Sequence, residues 1–165
     1  MSDELPNRSE LLAAIDRERR KLTARTILFH ESVAGRLGLN TTDLKALDLA
    51  SGIDPLTPSK LAELTGLTTG AITGVIDRLE KAGFVRRQRD SIDRRSVIIK
   101  WIPGREQEID QLFENLSRSL DILTTRYSDQ ELALILGYMI QNNRTLEQET
   151  ARLRRESTAA RIHPK

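Results

Sequence analysis

The side chains in this sequence with the type and spacing to do chemistry are mainly arginines. Arg86, Arg87, Arg89, Arg94 and Arg95 fall within ten residues. Residues 60–105 add Lys60, Arg78, Lys81, Lys100 and Arg105, against five acids: Glu63, Asp77, Glu80, Asp90 and Asp93. The chain as a whole is only +2, so a basic middle lies between acidic flanks. Clustered guanidinium groups suit phosphate contacts, and this distribution is a nucleic-acid footprint. A chain that is 30% charged also produces uneven windows without any partner. Other chemistries lack their residues. There is no cysteine, hence no disulfide, thiol nucleophile or Cys-ligated metal. The two histidines, His30 and His163, are far apart in sequence, and metal binding needs a cluster. No glycine-rich phosphate loop, Ser/His/Asp set or catalytic carboxylate pair stands at useful spacing. The expectation is a protein that is not an enzyme, with no catalytic residues, no metal and no cofactor.

The elements that must position the basic residues are mostly helical. The composition, 38% hydrophobic and 4% aromatic, suits long solvated helices better than a β-sandwich. Residues 9–37 read as one long helix with Ser9 as cap and a thin stripe of Leu11, Ile15, Leu22, Phe29, Val33 and Leu37. A stripe so interrupted by DRERRK needs a partner helix. Gly38 is its stop. Asn40 or Thr41 caps a second helix through Leu44, Leu47 and Leu49 to about residue 50. After a Gly/Pro loop, Thr57 and Pro58 open a short helix that Gly66 breaks. Thr68 caps the next, which buries Ile72, Val75, Ile76 and Leu79 and stops at Gly83. FVRRQR and RSVIIKWI then read as a β-hairpin turning at DSID. A helix follows over 105–126, with Ile109, Leu112, Phe113, Leu116, Leu120 and Leu123 on one face. Ser128 and Glu131 form a capping box for a last helix carrying Leu136, Ile140, Leu146 and Leu153. The first residues are acidic and polar, and no run of about 18 apolar residues occurs, so the expectation is a cytoplasmic protein with no membrane partner.

Helix, glycine turn and helix over 58–82 fit either a helix–turn–helix or an ordinary αα-hairpin with a Thr-rich surface, and the basic hairpin directly after favours a helix–turn–helix with a wing. Such a unit lays its second helix in the major groove, N-terminal residues toward base edges. Here these are Thr68, Thr69, Gly70 and Thr73, small enough for close backbone approach. A wing can also lay an arginine in the minor groove. Arg78 and Lys81, further along, are either phosphate contacts or partners of Asp77 and Glu80. Trp101 either stacks on a base or packs at the junction with the following helix.

The stretch LTPSKLAELTGLTTGAITGVIDRLEKAGFVRRQRDSIDRRSVIIKW resembles the winged helix–turn–helix of MarR-family transcriptional regulators, most specifically at VIDRLEKAGFVRR and DSIDRRS. The fold implied is mostly α: a winged helix–turn–helix lobe with a two-stranded β-wing, plus long N- and C-terminal helices forming a dimerisation lobe. The expected division is a DNA-binding region at 41–102 and a helical dimerisation region at 9–37 and 105–155, one compact domain overall, with flexible tails at 1–8 and 157–165. The function implied is a homodimeric, sequence-specific DNA-binding regulator, a repressor on a pseudo-palindromic operator in double-stranded DNA. It would be released by a small aromatic or anionic effector. The resemblance implies DNA contacts from Thr68, Thr69, Gly70, Thr73, Arg78, Arg86, Arg87, Arg94 and Arg95, with Arg94 at the wing tip and Asp93 bracing a neighbouring arginine. It implies a dimer interface of Leu11, Ile15, Leu22, Leu120, Leu123, Leu136, Ile140 and Leu146. An effector pocket is expected around Phe29, His30, Val33, Leu47 and Phe113. Gly74 departs from the family, where many relatives carry a long polar or basic side chain. Two other classes share these features: a constitutive or architectural DNA binder, and a winged-helix protein-interaction module. The wing arginines disfavour the last, because interface cores are depleted of charge.

Overall fold

The computed structural model describes residues 7–90 and 96–162. Six helices and one hairpin follow in order: α1 (Arg8–Arg36), α2 (Thr41–Ala50), α3 (Pro58–Thr65), α4 (Thr69–Lys81), β1 (Val85–Arg89), β2 (Val97–Trp101), α5 (Arg105–Thr124) and α6 (Asp129–Ile162).

Local chemistry sets most of the boundaries. α1 starts one residue before the expected helix. Its cap is Asn7, not Ser9, because Asn7 has Glu10 three residues on to complete a reciprocal capping box at 3.0 and 3.1 Å. Ser9 has Leu12 at that position, which accepts nothing. Asn40, Thr57 and Thr68 each accept the backbone N–H three residues on and cap α2, α3 and α4. Gly66 closes α3 at φ +68°, a conformation open to glycine at little cost. α5 ends at Thr124, short of residue 126, in a turn that leads to the Ser128–Glu131 box. α6 runs to Ile162, well past residue 155. Its last turns hold no glycine or proline, and Arg152 pairs with Glu149 and Glu156 along the helix.

The described chain divides into two compact units, residues 1–112 and 113–165. α1 falls in the first unit, together with the winged part. Val33, Ala34 and Leu37, at the C-terminal end of α1, are buried together with Leu44, Leu47, Leu61, Ile72, Ile76, Leu79, Phe84 and Ile99. This is the core under the wing.

The wing is a two-stranded antiparallel sheet with Val85 opposite Trp101, Arg87 opposite Ile99 and Arg89 opposite Val97. Leu56 adds one bridge to Ile99, whose N–H donates to the Leu56 carbonyl at 2.8 Å. Arg86 lies directly across from Lys100, a like-charge pair, and Lys100 is balanced by Asp54 at 2.5 Å. At the base, Arg105 holds the start of α5 to the α4–β1 corner. Its guanidinium carbon lies 4.0 Å above the Phe84 ring, one nitrogen donates to the Ala82 carbonyl at 3.2 Å, and another pairs with Glu108.

The long helices are different. α5 contains no buried residue, and Leu120, Leu123, Leu136, Ile140 and Leu146 are exposed along α5 and α6. On α1, Leu11, Ile15 and Leu22 are likewise exposed, Leu22 by 66%.

Phe84 is fully buried and carries both the core contacts and the Arg105 stack. Phe84→Ala is expected to destabilise the winged unit by about 3–5 kcal/mol, read from denaturant unfolding. A loss below about 1 kcal/mol would show that the corner is not held by this ring.

Candidate nucleic-acid interface

The outward face of α4 is unusually bare. Ile72, Val75, Ile76 and Leu79 take one side of the helix into the core. The other side presents Thr69, Gly70 and Thr73, all exposed, then Gly74. A Cβ added at Gly70 would meet nothing within 4 Å. Thr68 spends its side-chain oxygen on the Ala71 N–H at 3.3 Å, and Thr73 donates its hydroxyl to the Thr69 carbonyl at 3.1 Å. Thr73 therefore offers a solvent-side oxygen acceptor and a methyl group rather than a free hydroxyl donor. A helix face this smooth lets the backbone approach a groove floor.

Arg78 is not held by Asp77 or Glu80. Its partner is Asp43 on α2, 1% exposed, which accepts from Nε at 2.9 and 3.2 Å and from Nη2 at 2.7 Å. The arginine itself remains 49% exposed. These hydrogen bonds push its pKa above the usual arginine range. Asp43 is not among the residues that the sequence singles out. The available signal was a carboxylate beside Leu44 on the apolar side of a short helix.

Arg87 is drawn into the protein. Nη1 lies 2.5 Å from Glu80, Nη2 lies 2.5 Å from Asp77, and its backbone N–H donates to Glu80 at 2.8 Å. Asp77 and Glu80 thus neutralise Arg87 and fasten β1 to α4. Two carboxylates facing one guanidinium make Arg87 less available to phosphate than Arg86. Arg86, Arg89 and Lys81 are exposed and have no ion pair among the described residues. Asp93, Arg94 and Arg95 lie outside the described residues, as does His163.

The five residues expected to line an effector pocket are not alike. Val33 and Leu47 are buried core residues. Phe29 and His30 are half-buried, their rings 6.1 Å apart and tilted by 52°. Phe113 is half-buried in the other compact unit. A cleft of about 330 Å³ opens elsewhere, at the foot of the wing, between Gly52, Ile53, Asp54, Ile99, Lys100, Trp101 and Glu106. It shares none of those five residues. Trp101 is half-buried there, with an indole N–H that is buried and unpartnered, so it packs at the junction. Among the described residues no group of acids and histidines is arranged to hold a metal, and no helix is long and apolar enough to cross a membrane.

A short helix, a glycine turn, a helix with a smooth outward face and a basic antiparallel wing together define a winged helix–turn–helix DNA-binding protein. Comparison with known proteins agrees. The MarR family model matches residues 39–97. YcgE of Bacillus subtilis, described as an uncharacterized HTH-type transcriptional regulator, is 41% identical over 148 residues, covering 90% of this chain and 96% of YcgE. A MarR family protein from Bacillus stearothermophilus superposes with a TM-score of 0.62 at 22% identity, over 88% of this chain and 99% of that one. A mutant of MepR from S. aureus, solved bound to an oligodeoxyribonucleotide, superposes with a TM-score of 0.52 at 16% identity, over 86% and 99%. The chain belongs to the MarR family of transcriptional regulators, which are DNA-binding proteins and not enzymes.

The Arg87 clamp gives the lobe a defined acid sensitivity. Hydrogen bonds from the Arg87 backbone and then from its side chain hold Glu80 below the usual glutamate value. A depressed folded pKa contributes stability that is fully present above the unfolded value, about 4.3, and is lost as pH falls through the folded value. Glu80→Gln is therefore expected to lower stability at pH 7 and to flatten its decline below about pH 4.3. Thermal melts of both proteins across pH 3–7 read this. Parallel melting curves at every pH would remove the clamp from the account.

Proposed function

We propose that this regulator works as a homodimer on a pseudo-palindromic operator, as a repressor that a small aromatic or anionic ligand releases. The observation that carries the reading is the pairing of two surfaces on one chain. One is the bare Thr/Gly face of α4, flanked by unpaired basic side chains. The other is the set of uncovered leucines and isoleucines on α1, α5 and α6. So many large apolar side chains left exposed along helices are uncommon on a protein that works alone, and they suit a second copy. Leu11, Ile15, Leu22, Leu120, Leu123, Leu136, Ile140 and Leu146 are the residues assigned to that contact, and each is exposed in the single chain.

A two-fold dimer presents two α4 helices to one side of the duplex, so half-site centres about 10 bp apart follow. Thr68, Thr69, Gly70 and Thr73 are assigned to base edges, with Arg78 alongside and Arg86 on phosphate. By the family resemblance Arg94 is assigned to the minor groove and Arg95 to DNA without a named groove, with Asp93 as support. The MepR mutant bound to an oligodeoxyribonucleotide supports the general mode. For the effector, Phe29 and His30 supply an aromatic surface and a titratable group. A ligand releases DNA only by its differential affinity for the non-binding state, and tenfold release needs about 1.4 kcal/mol.

Selection of bound sequences from random duplexes tests the operator, followed by a screen of aromatic acids for loss of the complex. A recovered inverted repeat and a ligand that weakens it are the expected results. Sites without two-fold symmetry, or no selection at all, would overturn the reading. Arg86→Ala should lower the slope of log affinity against log salt by about one unit on every sequence. Arg87→Ala, by contrast, should act mainly through stability.

Leu136→Asp should convert a dimer to monomer, or unfold it, by placing an unpaired charge in the contact. Light scattering at micromolar concentration checks this. A wild-type monomer at that concentration would sink the homodimer.

A further inference from the structure

We propose that Arg78 is a base-reading residue that selects one guanine in each half-site, and that Asp43 is its positioning residue. The inference rests on α4 being the DNA-reading helix and goes further by naming the base and the groups that read it. Helical side chains lean toward the N-terminus of their helix, so Arg78 extends back over the preceding turn, where Gly74 sits. Its Nη1 lies 3.4 Å from where a Cβ on Gly74 would stand. The guanidinium therefore occupies the surface that a longer side chain at position 74 would cover.

The orientation matters as much as the place. A guanidinium has two forked edges. Asp43 takes the side edge, made by Nε and Nη2. The end edge, made by Nη1 and the second hydrogen of Nη2, has no partner among the described residues, and the arginine is half-exposed. Two parallel N–H donors on a rigid plane match guanine O6 and N7 in the major groove. Asp43 is buried, so it fixes the plane without competing at the DNA surface. Because Gly70 and Gly74 leave no side chain in the way, a group held flat against α4 can reach a base edge. A phosphate contact would need the charge but not this fixed fork.

The experiment separates base reading from phosphate binding and from the broader DNA-binding reading. Random duplexes are selected with wild type, with Arg78→Lys, which keeps a cation beside Asp43, and with the double variant Asp43→Ala/Arg78→Ala, which removes both charges. Melting temperatures confirm folding. Wild type should require one guanine per half-site. Both variants should lose preference at that position alone while keeping the others. Replacing that guanine by 7-deazaguanine in the wild-type site should cost about tenfold in affinity, within the range of a bidentate contact. That arm stands even if a protein variant fails to fold. A uniform loss on all sequences, or an unchanged guanine preference in Arg78→Lys, overturns the proposal and leaves Arg78 on phosphate or idle. Absence of any sequence-selective binding by wild type overturns this proposal and the operator reading together.

Discussion

Asp43 imposes the constraint on which the arrangement of the winged unit turns. Burying a carboxylate is costly unless a cation and hydrogen bonds answer it, and breaking such a pair leaves an uncompensated charge. Here the answer comes from a helix 35 residues further along the chain. α2 and α4 are thereby held in one azimuth, with Arg78 bent over Gly74 and the smooth face of α4 turned outward. A Leu-only contact between the two helices would tolerate slippage. A three-bond fork to a carboxylate does not, because both partners are planar.

The same logic divides the basic residues into two populations. Arg78, Arg87 and Arg105 are each engaged by acids, an aromatic ring or a backbone carbonyl, and each fastens one element to another. Arg86, Arg89 and Lys81 are left to the solvent. A count of charges over 60–105 treats all of these as equal sources of field. The structure does not, since Asp77 and Glu80 cancel Arg87 at contact distance. Part of the positive charge near α4 therefore serves the architecture that lets the remainder face outward.

Much of this was legible from local chemistry. Thr57 with Pro58, Gly66, Thr68 and Gly83 mark the ends of α3 and α4 because caps and left-handed glycines act within a few residues. The apolar stripes of α5 and α6 were legible for the same reason, and so was the wing, whose period changes to that of a strand. Long-range pairings were not. Arg78 stands one residue from Asp77 and two from Glu80, spacings that do not face each other on a helix. Nothing near it in sequence points to Asp43. The pairing of Arg87 is equally hidden, because its two acids lie on a different element. Gly74 stands out in the sequence only as a departure from the family pattern, and the side chain above it gives the gap a use.

The sole tryptophan of the chain stands at the foot of the wing. Its ring lines the cleft with Lys100, Asp54 and Glu106, and its N–H is buried without an acceptor. Indole emission therefore originates from one location, and its wavelength depends on the charges fixed around it. Two of those, Lys100 and Asp54, belong to the ion pair that tethers β2. Lys100 moves with the ring because both stand on β2, whereas a tilt of the wing against Asp54 changes the field at the indole and so the colour of the light. The protein carries its one indole at the foot of the wing, with no second indole to blur the signal.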